Sequence, residues 1–286
     1  MLPPVGERIS FNEGYTPLRR LGGVLAKMEN LNPTRSYADR ASSVIVSFLK
    51  PKSMKTEYVK DFTSSMAYYL SSIGAHVEVV VDPKSVELDD LLFFDKLGAR
   101  IEFSENSIQA EGRIMYENPL SIEGLKTIAH EIVEASPKED EIFVPAETGL
   151  LAYSVGKGLE ELVSLGIAPE YGLTAVTIKG TPTPEILRYS RYRIRVVKVA
   201  SREVLEAVLK LSKVGVKVRP LAATSYAAAL NSGSGIAVIT GSSRTIPPTS
   251  SHRLSKLKTM IIDVLEGRGK ATAYEIWRDL GTLLSL

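Results

Sequence analysis

Short β-branched runs alternate with helix-like segments along most of the chain. The clearest strand-like runs are His76–Val81 (HVEVVV), Glu141–Pro145 (EIFVP) and Ile194–Val199 (IRVVKV), and amphipathic segments such as 201–214 separate them. Strands that alternate with helices build mostly parallel sheets with helices packed on the faces. The alternation therefore predicts an α/β fold with mostly parallel sheets, which bind ligands at the carboxyl ends of their strands.

The remaining segments complete this prediction. Further strands are expected at 43–49, 99–103, 174–178, 216–219 and 236–240. Further helices are expected at 61–73, 86–97, 121–134 with Ser121 as the N-cap, 153–165 and 224–230.

Composition excludes several kinds of site and partner. The chain has no cysteine and only three histidines, which are far apart in sequence, so we expect no metal site. The net charge of +2 gives no general attraction to nucleic acid or membrane, and we expect neither as a partner. The first twenty residues carry early charges and no apolar stretch, which predicts a cytoplasmic protein. His130 lies on an apolar helix face, which is typical of a packed histidine rather than a base.

Six segments in order resemble the threonine synthase branch of the fold type II pyridoxal-phosphate (PLP) enzymes. They span nearly the whole chain and keep the order and spacing of the family. They are 12–18 (NEGYTPL), 27–40 (KMENLNPTRSYADR), 118–132 (NPLSIEGLKTIAHEI), 142–162, 197–230 and 237–242 (AVITGS).

The resemblance implies a two-domain fold similar to the tryptophan synthase β subunit. Residues 1–42 and 126–250 would form the large α/β domain, and 43–125 a shortened small α/β domain. Residues 251–286 read as a linker and a helical tail that resembles a truncated winged helix. The tail ends before a DNA-reading third helix, so we expect it to pack or dimerise rather than read DNA.

The sequence departs from the family at the residue that would bind the cofactor covalently. In the family, the lysine of a SFKDR motif forms a Schiff base with PLP. The matching residue of Ser36-Tyr37-Ala38-Asp39-Arg40 is Ala38, which has no amine.

Two other cofactor elements also differ. The glycine-rich phosphate loop of the family corresponds to Ala146, Glu147, Thr148 and Gly149. A carboxylate about 4 Å from a phosphate charge would repel it by about 4 kcal/mol at an effective dielectric constant of about 20. A helix terminus contributes at most about 2 kcal/mol. The family's Ser-Gly-Asn loop falls on 59–61, which places Lys60 and Asp61 there.

One cofactor element is kept: Thr240 and Ser242 flank Gly241 where the family's hydroxyl meets the pyridine nitrogen.

The sequence thus predicts a threonine synthase-like protein that has lost PLP binding and catalysis. No catalytic residue and no cofactor are expected, with PLP as the cofactor if the site still functions. We expect a binding, regulatory or partner-subunit role, as a homodimer or beside an active paralogue. Ser36, Tyr37 and Lys60 are candidate contacts for a small polar ligand.

Two alternatives stay open. The first is a PLP-dependent lyase or transferase of the threonine synthase type, in which an engineered Lys→Ala change accounts for Ala38. The second is a DNA-associated regulator that acts through the C-terminal tail and the arginine-rich run at 188–195.

Overall fold

The computed structural model describes residues 2–104 and 114–242. The helices within these ranges are α1 (Asp39–Leu49), α2 (Phe62–Ser72), α3 (Leu88–Lys96), α4 (Pro119–Leu125), α5 (Thr127–Glu134), α6 (Leu150–Ser164), α7 (Ser201–Lys213) and α8 (Thr224–Ser232). The strands are β1 (Leu18–Leu21), β2 (Val24–Lys27), β3 (Ser53–Glu57), β4 (His76–Val81), β5 (Arg100–Phe103), β6 (Glu141–Pro145), β7 (Gly172–Ile178), β8 (Ile194–Val199) and β9 (Ile236–Val238).

The chain forms two compact units, and the larger consists of the described residues in 1–48 and 117–243. Its sheet has the strand order β1-β2-β9-β6-β7-β8. Only β1 runs antiparallel to its neighbour among these described strands; every other pair is parallel. The α/β class and the mostly parallel sheets expected from the alternation are confirmed.

Successive side chains along each strand point to opposite faces of this sheet, and helices cover both faces. On one face, Phe143 and Val176 join a buried cluster with α7 and α8. On the other face, Leu173 and Ile194 lie against Gly156 of α6. The central strands are therefore apolar on both sides, which explains their continuous hydrophobic runs.

The smaller unit contains the described residues in 49–116. Its sheet has three parallel strands in the order β3-β4-β5. Lys55 on β3 pairs with Glu78 on β4 at 2.8 Å and with Glu102 on β5 at 2.7 Å. These half-exposed charges make one face of the sheet polar.

Three predicted elements were wrong. Residues 43–49 form the end of helix α1, not a strand, and bury Ile45 and Val46. Residues 216–219 form no strand. The predicted helix at 121–134 is divided into α4 and α5, and its first cap is Asn118, whose side chain accepts the Ser121 N–H at 2.9 Å.

The boundaries between the two units also differ from those implied by the resemblance. Contacts assign all but the last residue of α1, and all of α4, to the larger unit. The boundaries along the chain therefore fall after residue 48 and before residue 117. The expected positions were after 42 and after 125. The linker and helical tail expected at 251–286 lie outside the described residues.

Helices α1 and α4 touch at Gly124. A Cβ atom built on Gly124 would lie 2.3 Å from the Arg40 carbonyl oxygen and 2.8 Å from the Ala41 Cα. Both are backbone atoms, which cannot rotate away. The absence of a side chain at residue 124 therefore sets the distance between the two helices.

We expect Gly124→Ala to lower the free energy of unfolding by about 1–3 kcal/mol, because the methyl group forces the helices apart. Urea unfolding followed by circular dichroism measures the change. Gly6→Ala is the matched control, since nothing lies within 4 Å of a Cβ there. Equal stability of the two variants would show that the helices separate without cost.

Candidate functional site

Most of the residues that the resemblance assigns to a cofactor site lie on two loops at one end of the larger sheet. Strands β6 and β9 are parallel neighbours, so the loops that follow them leave the sheet at the same end. The first loop contains Ala146–Gly149 and the second contains Thr240–Ser242. The carboxyl ends of parallel strands are the usual place for a ligand in such folds.

The chain before helix α1 is hydrogen-bonded to the loop after β9. The Tyr37 N–H donates to the Thr240 carbonyl oxygen at 2.9 Å, and the Ser242 N–H donates to the Arg35 carbonyl oxygen at 3.1 Å. Ser36 also forms an isolated β-bridge with Gly241. The structure thus brings together the predicted residues on these two segments, which are about 200 positions apart in sequence.

Ala38 lies at the start of helix α1 and is fully buried. Its N–H donates to Ser36 Oγ at 3.1 Å, and its carbonyl oxygen accepts the Ser42 N–H at 2.9 Å. Only a methyl group projects from this position. It can contribute packing, and it offers no nucleophile or base.

A buried amide lies beside this segment. Asn30 Nδ2 donates to Ser242 Oγ at 2.9 Å, whereas Asn30 Oδ1 has no hydrogen-bond partner among the described residues. The oxygen of Ser242 therefore accepts one bond within the protein, and its hydroxyl proton can still be donated.

The loop after β6 begins helix α6. Ala146 is buried, Glu147 and Thr148 are exposed, and Gly149 has a φ angle of 86°. A Cβ atom on Gly149 would lie 2.7 Å from Pro184 Cβ, so the chain before the 3-10 segment Glu185–Tyr189 packs closely on this loop. The loop is therefore closely covered on that side.

Lys60 and Asp61 belong to the smaller unit. Lys60 forms an ion pair with Glu87, and Asp61 precedes α2 with a φ angle of 68°. A positive φ is uncommon for a residue with a side chain.

A buried charge cluster lies beneath the N-terminal segment of the larger unit, and the sequence reasoning missed it. We call the four side chains Lys27, Glu29, Arg40 and Glu131 the charge cluster. Arg40 Nε donates to Glu29 Oε2 at 2.7 Å and Arg40 Nη1 to Glu131 Oε1 at 2.6 Å. Lys27 Nζ donates to Glu131 Oε2 at 2.5 Å. Opposite charges in direct contact satisfy each other where water is excluded.

The charge cluster also holds the chain that precedes β1. The Tyr15 N–H donates to Glu131 Oε1 at 2.7 Å, and Thr16 Oγ1 donates to Glu29 Oε1 at 2.5 Å. The one sequence signal was a carboxylate, Glu131, within an otherwise apolar helix face.

The cluster shifts the acidity of its members. Burial alone would raise the pKa of Glu131, but hydrogen bonds and charge from Arg40 and Lys27 lower it from 4.5 to about 2. Burial would also raise the pKa of Glu29, but the charge and hydrogen bonds of Arg40 outweigh this effect and lower the pKa. Both carboxylates are thus ionised at neutral pH.

The arginine-rich run has structural partners. Tyr192 is buried, and its hydroxyl donates to the Tyr171 carbonyl oxygen at 2.6 Å. Arg195 pairs with Glu141 at 3.1 Å, and Arg191 lies 4.0 Å from Glu160. Carboxylates therefore offset part of the positive charge of this run.

The described ranges contain neither a metal-binding group of side chains nor a helix that could span a membrane. No group of three or more acidic or histidine side chains there could hold a metal ion. None of the described helices has the length and apolar character needed to cross a membrane.

Comparison with known proteins identifies the family. The model of the pyridoxal-phosphate-dependent enzyme family matches residues 9–239. The chain therefore belongs to this family. No curated protein matches it significantly.

Solved structures share the fold at low sequence identity. Processed threonine deaminase isoform 2 from Solanum lycopersicum is 15% identical with a TM-score of 0.68, covering 81% of this chain and 80% of that one. L-serine ammonia-lyase from the fungus Rhizomucor miehei is 14% identical with a TM-score of 0.68, covering 83% and 95%. Serine racemase from Dictyostelium discoideum is 17% identical with a TM-score of 0.65, covering 81% and 93%.

We expect Glu131→Gln to destabilise the protein by about 3 kcal/mol at pH 7, because it removes one partner from buried cations. The pKa of Glu131 is lowered on folding, so its contribution is present above about pH 4.5 and is lost as the pH falls towards 2. The variant should therefore lose less stability than the wild type between pH 6 and pH 3.

Urea unfolding at several pH values measures this difference. Glu206→Gln is the control, because Glu206 is exposed and pairs with the exposed Arg202. A wild-type pH profile retained by Glu131→Gln would contradict the assigned role of the carboxylate.

Proposed function

We propose that this member of the pyridoxal-phosphate-dependent enzyme family has lost PLP catalysis and acts through binding. The observation that carries the proposal is the buried alanine at position 38. The resemblance to the threonine synthase branch assigns the Schiff-base lysine to this position. A methyl group cannot make that bond.

The residues around position 38 do not fit PLP held in the manner of the family. Ser242 Oγ accepts a hydrogen bond from Asn30 and can still donate its own proton, so the misfit lies in the loop after β6. The loop at 146–149 keeps one glycine and carries the exposed carboxylate of Glu147. A carboxylate near a phosphate site raises the free energy of the bound anion. We therefore derive no reaction step that passes through PLP.

The role that remains is binding or regulation. A homodimer, or a complex with an active paralogue, would use the enzyme fold as a scaffold. Ser36, Tyr37 and Lys60 remain candidate contacts for a small polar ligand. Folds host many functions, so the conserved architecture is compatible with such a change of role.

The test is a visible absorbance titration of the full chain with PLP, followed by borohydride reduction and peptide mass spectrometry. We expect no absorbance band of lysine-bound PLP and no reduced adduct at a single lysine. The variant Ala38→Lys is titrated in parallel. We expect it to gain no band, because the loop at 146–149 still has only one glycine and carries Glu147.

Two outcomes would overturn the proposal. A stoichiometric adduct on one lysine of the unaltered chain would show that another amine binds PLP. The second outcome is that Ala38→Lys gains the absorbance band of lysine-bound PLP and deaminates serine or threonine. This result would favour the alternative of a PLP lyase disabled by one substitution. Lys50→Ala is the control for adducts on exposed lysines, since Lys50 is exposed.

A further inference from the structure

A cavity of about 1040 Å³ lies in the larger unit, between the N-terminal segment and helices α1 and α5. Ser43 Oγ donates to the Ile9 carbonyl oxygen at 2.9 Å, and the Ile9 N–H donates to Ser47 Oγ at 2.8 Å. These bonds hold the N-terminal segment against α1, and this segment forms one wall of the cavity. A cavity of this size is at the upper end of those that bind small molecules.

The cavity is separate from the former cofactor position. Arg40, Val44 and Ser47 of α1 line the cavity. At about 100° per residue, these side chains point about 120–180° around the helix axis from Ala38. Helix α1 therefore stands between the two places, and neither shares side chains with the other.

The lining combines an apolar wall with charges of both signs. Pro3, Val5 and Val44 supply apolar surface. Arg8 and Glu134 also line the cavity, and neither forms an ion pair within the part of the chain that the structure describes. An unpaired cation and an unpaired carboxylate beside apolar surface match a ligand with the complementary charges and an apolar body.

A polar atom beneath the cavity also lacks a partner. His130 lines the cavity, and its Nε2 atom is buried with no hydrogen-bond partner among the described residues. A buried polar atom without a partner costs free energy unless a ligand or water satisfies it. Burial and the charge of Lys126 lower the pKa of His130, so the ring is neutral at pH 7.

The loop beside the cavity has a strained backbone. Asn12 and Tyr15 line the cavity and have φ angles of 65° and 46°. Strain of this kind persists where surrounding contacts fix it, and it is frequent at ligand sites. Here the contacts are bonds from Gly14 N–H to Asn32 Oδ1 and from Tyr15 N–H to Glu131. Tyr15 leaves 84% of its surface exposed beside the cavity.

We propose that this cavity binds a free amino acid with an apolar side chain. Its carboxylate faces Arg8, its ammonium group faces Glu134, and its side chain packs on Val5 and Val44. This inference goes beyond the proposed function, because it concerns the opposite side of α1 and holds whether or not the chain binds PLP.

The probe is L-leucine, titrated into the full chain by calorimetry. Isopentylamine lacks the carboxylate and 4-methylpentanoate lacks the ammonium group, so both are titrated as well. We expect L-leucine to bind most tightly of the three. Val44→Trp should raise the dissociation constant of L-leucine by at least about tenfold, because the indole occupies the place beside Val5 where the leucine side chain packs. Val214→Trp is the matched control, since Val214 is exposed and outside the cavity.

Charge-neutral variants test the orientation of the ligand. Arg8→Gln should weaken L-leucine and 4-methylpentanoate and leave isopentylamine unchanged. Glu134→Gln should weaken L-leucine and isopentylamine and leave 4-methylpentanoate unchanged. Arg19→Gln, at an exposed arginine outside the cavity, controls for net charge. Thermal unfolding of every variant verifies that it is folded.

Several results would overturn the inference. The first is no heat of binding with L-leucine at millimolar concentration. The second is equal binding by Val44→Trp and the wild type, which would put the ligand elsewhere. The third is equal affinity for all three probes, which would exclude recognition of both charges. None of these results depends on the PLP titration, so failure here is distinguishable from failure of the proposed function.

Discussion

The larger unit depends on four charges that neutralise one another, three of them buried and the fourth, Glu131, 11% exposed. Arg40 reaches both Glu29 and Glu131 through its planar guanidinium, and Lys27 adds a second cation at 2.5 Å from Glu131. The four residues come from β2 and the turn that follows it, from α1 and from α5. Removing water from each ion costs several kcal/mol, which only good geometry repays. The cluster therefore tolerates one arrangement of these elements and fixes them relative to one another.

That arrangement positions both candidate sites. Helix α1 carries Arg40 in the charge cluster and the cavity-lining Val44, and Ala38 directly precedes its first residue. Glu131 holds the N–H of Tyr15 and thereby shapes the wall of the cavity. A single helix thus separates the buried methyl group of Ala38 from the cavity lined by Arg8 and Glu134.

Local patterns predicted several strands but not every helix. His76–Val81, Glu141–Pro145 and Ile194–Val199 match the predicted bounds because β-branched residues there lie in parallel sheets. The run at 43–49 has the same composition yet forms a helix, since Ile45 and Val46 point into the core from α1. Tertiary packing overrides propensity in such cases.

The candidate site was predicted in part. The hydrogen bonds between residues 35–37 and 240–242 show that these two segments are adjacent, and their role as a cofactor site stays a prediction. The charge cluster could not be predicted, because ion pairing between Lys27, Arg40 and Glu131 depends on positions far apart in sequence. The cavity depends on how the N-terminal segment lies, which short-range patterns do not encode.

The division of the larger unit into two stretches of sequence has a consequence for folding. Leu25 on β2 pairs with Ile236 on β9, so the sheet cannot close until nearly all of the described chain has been synthesised. The smaller unit pairs its strands in sequence order between residues 53 and 103. Local pairing forms faster than pairing across a long loop. On the ribosome, the inserted unit is therefore able to fold first and to shorten the loop that the outer sheet must close.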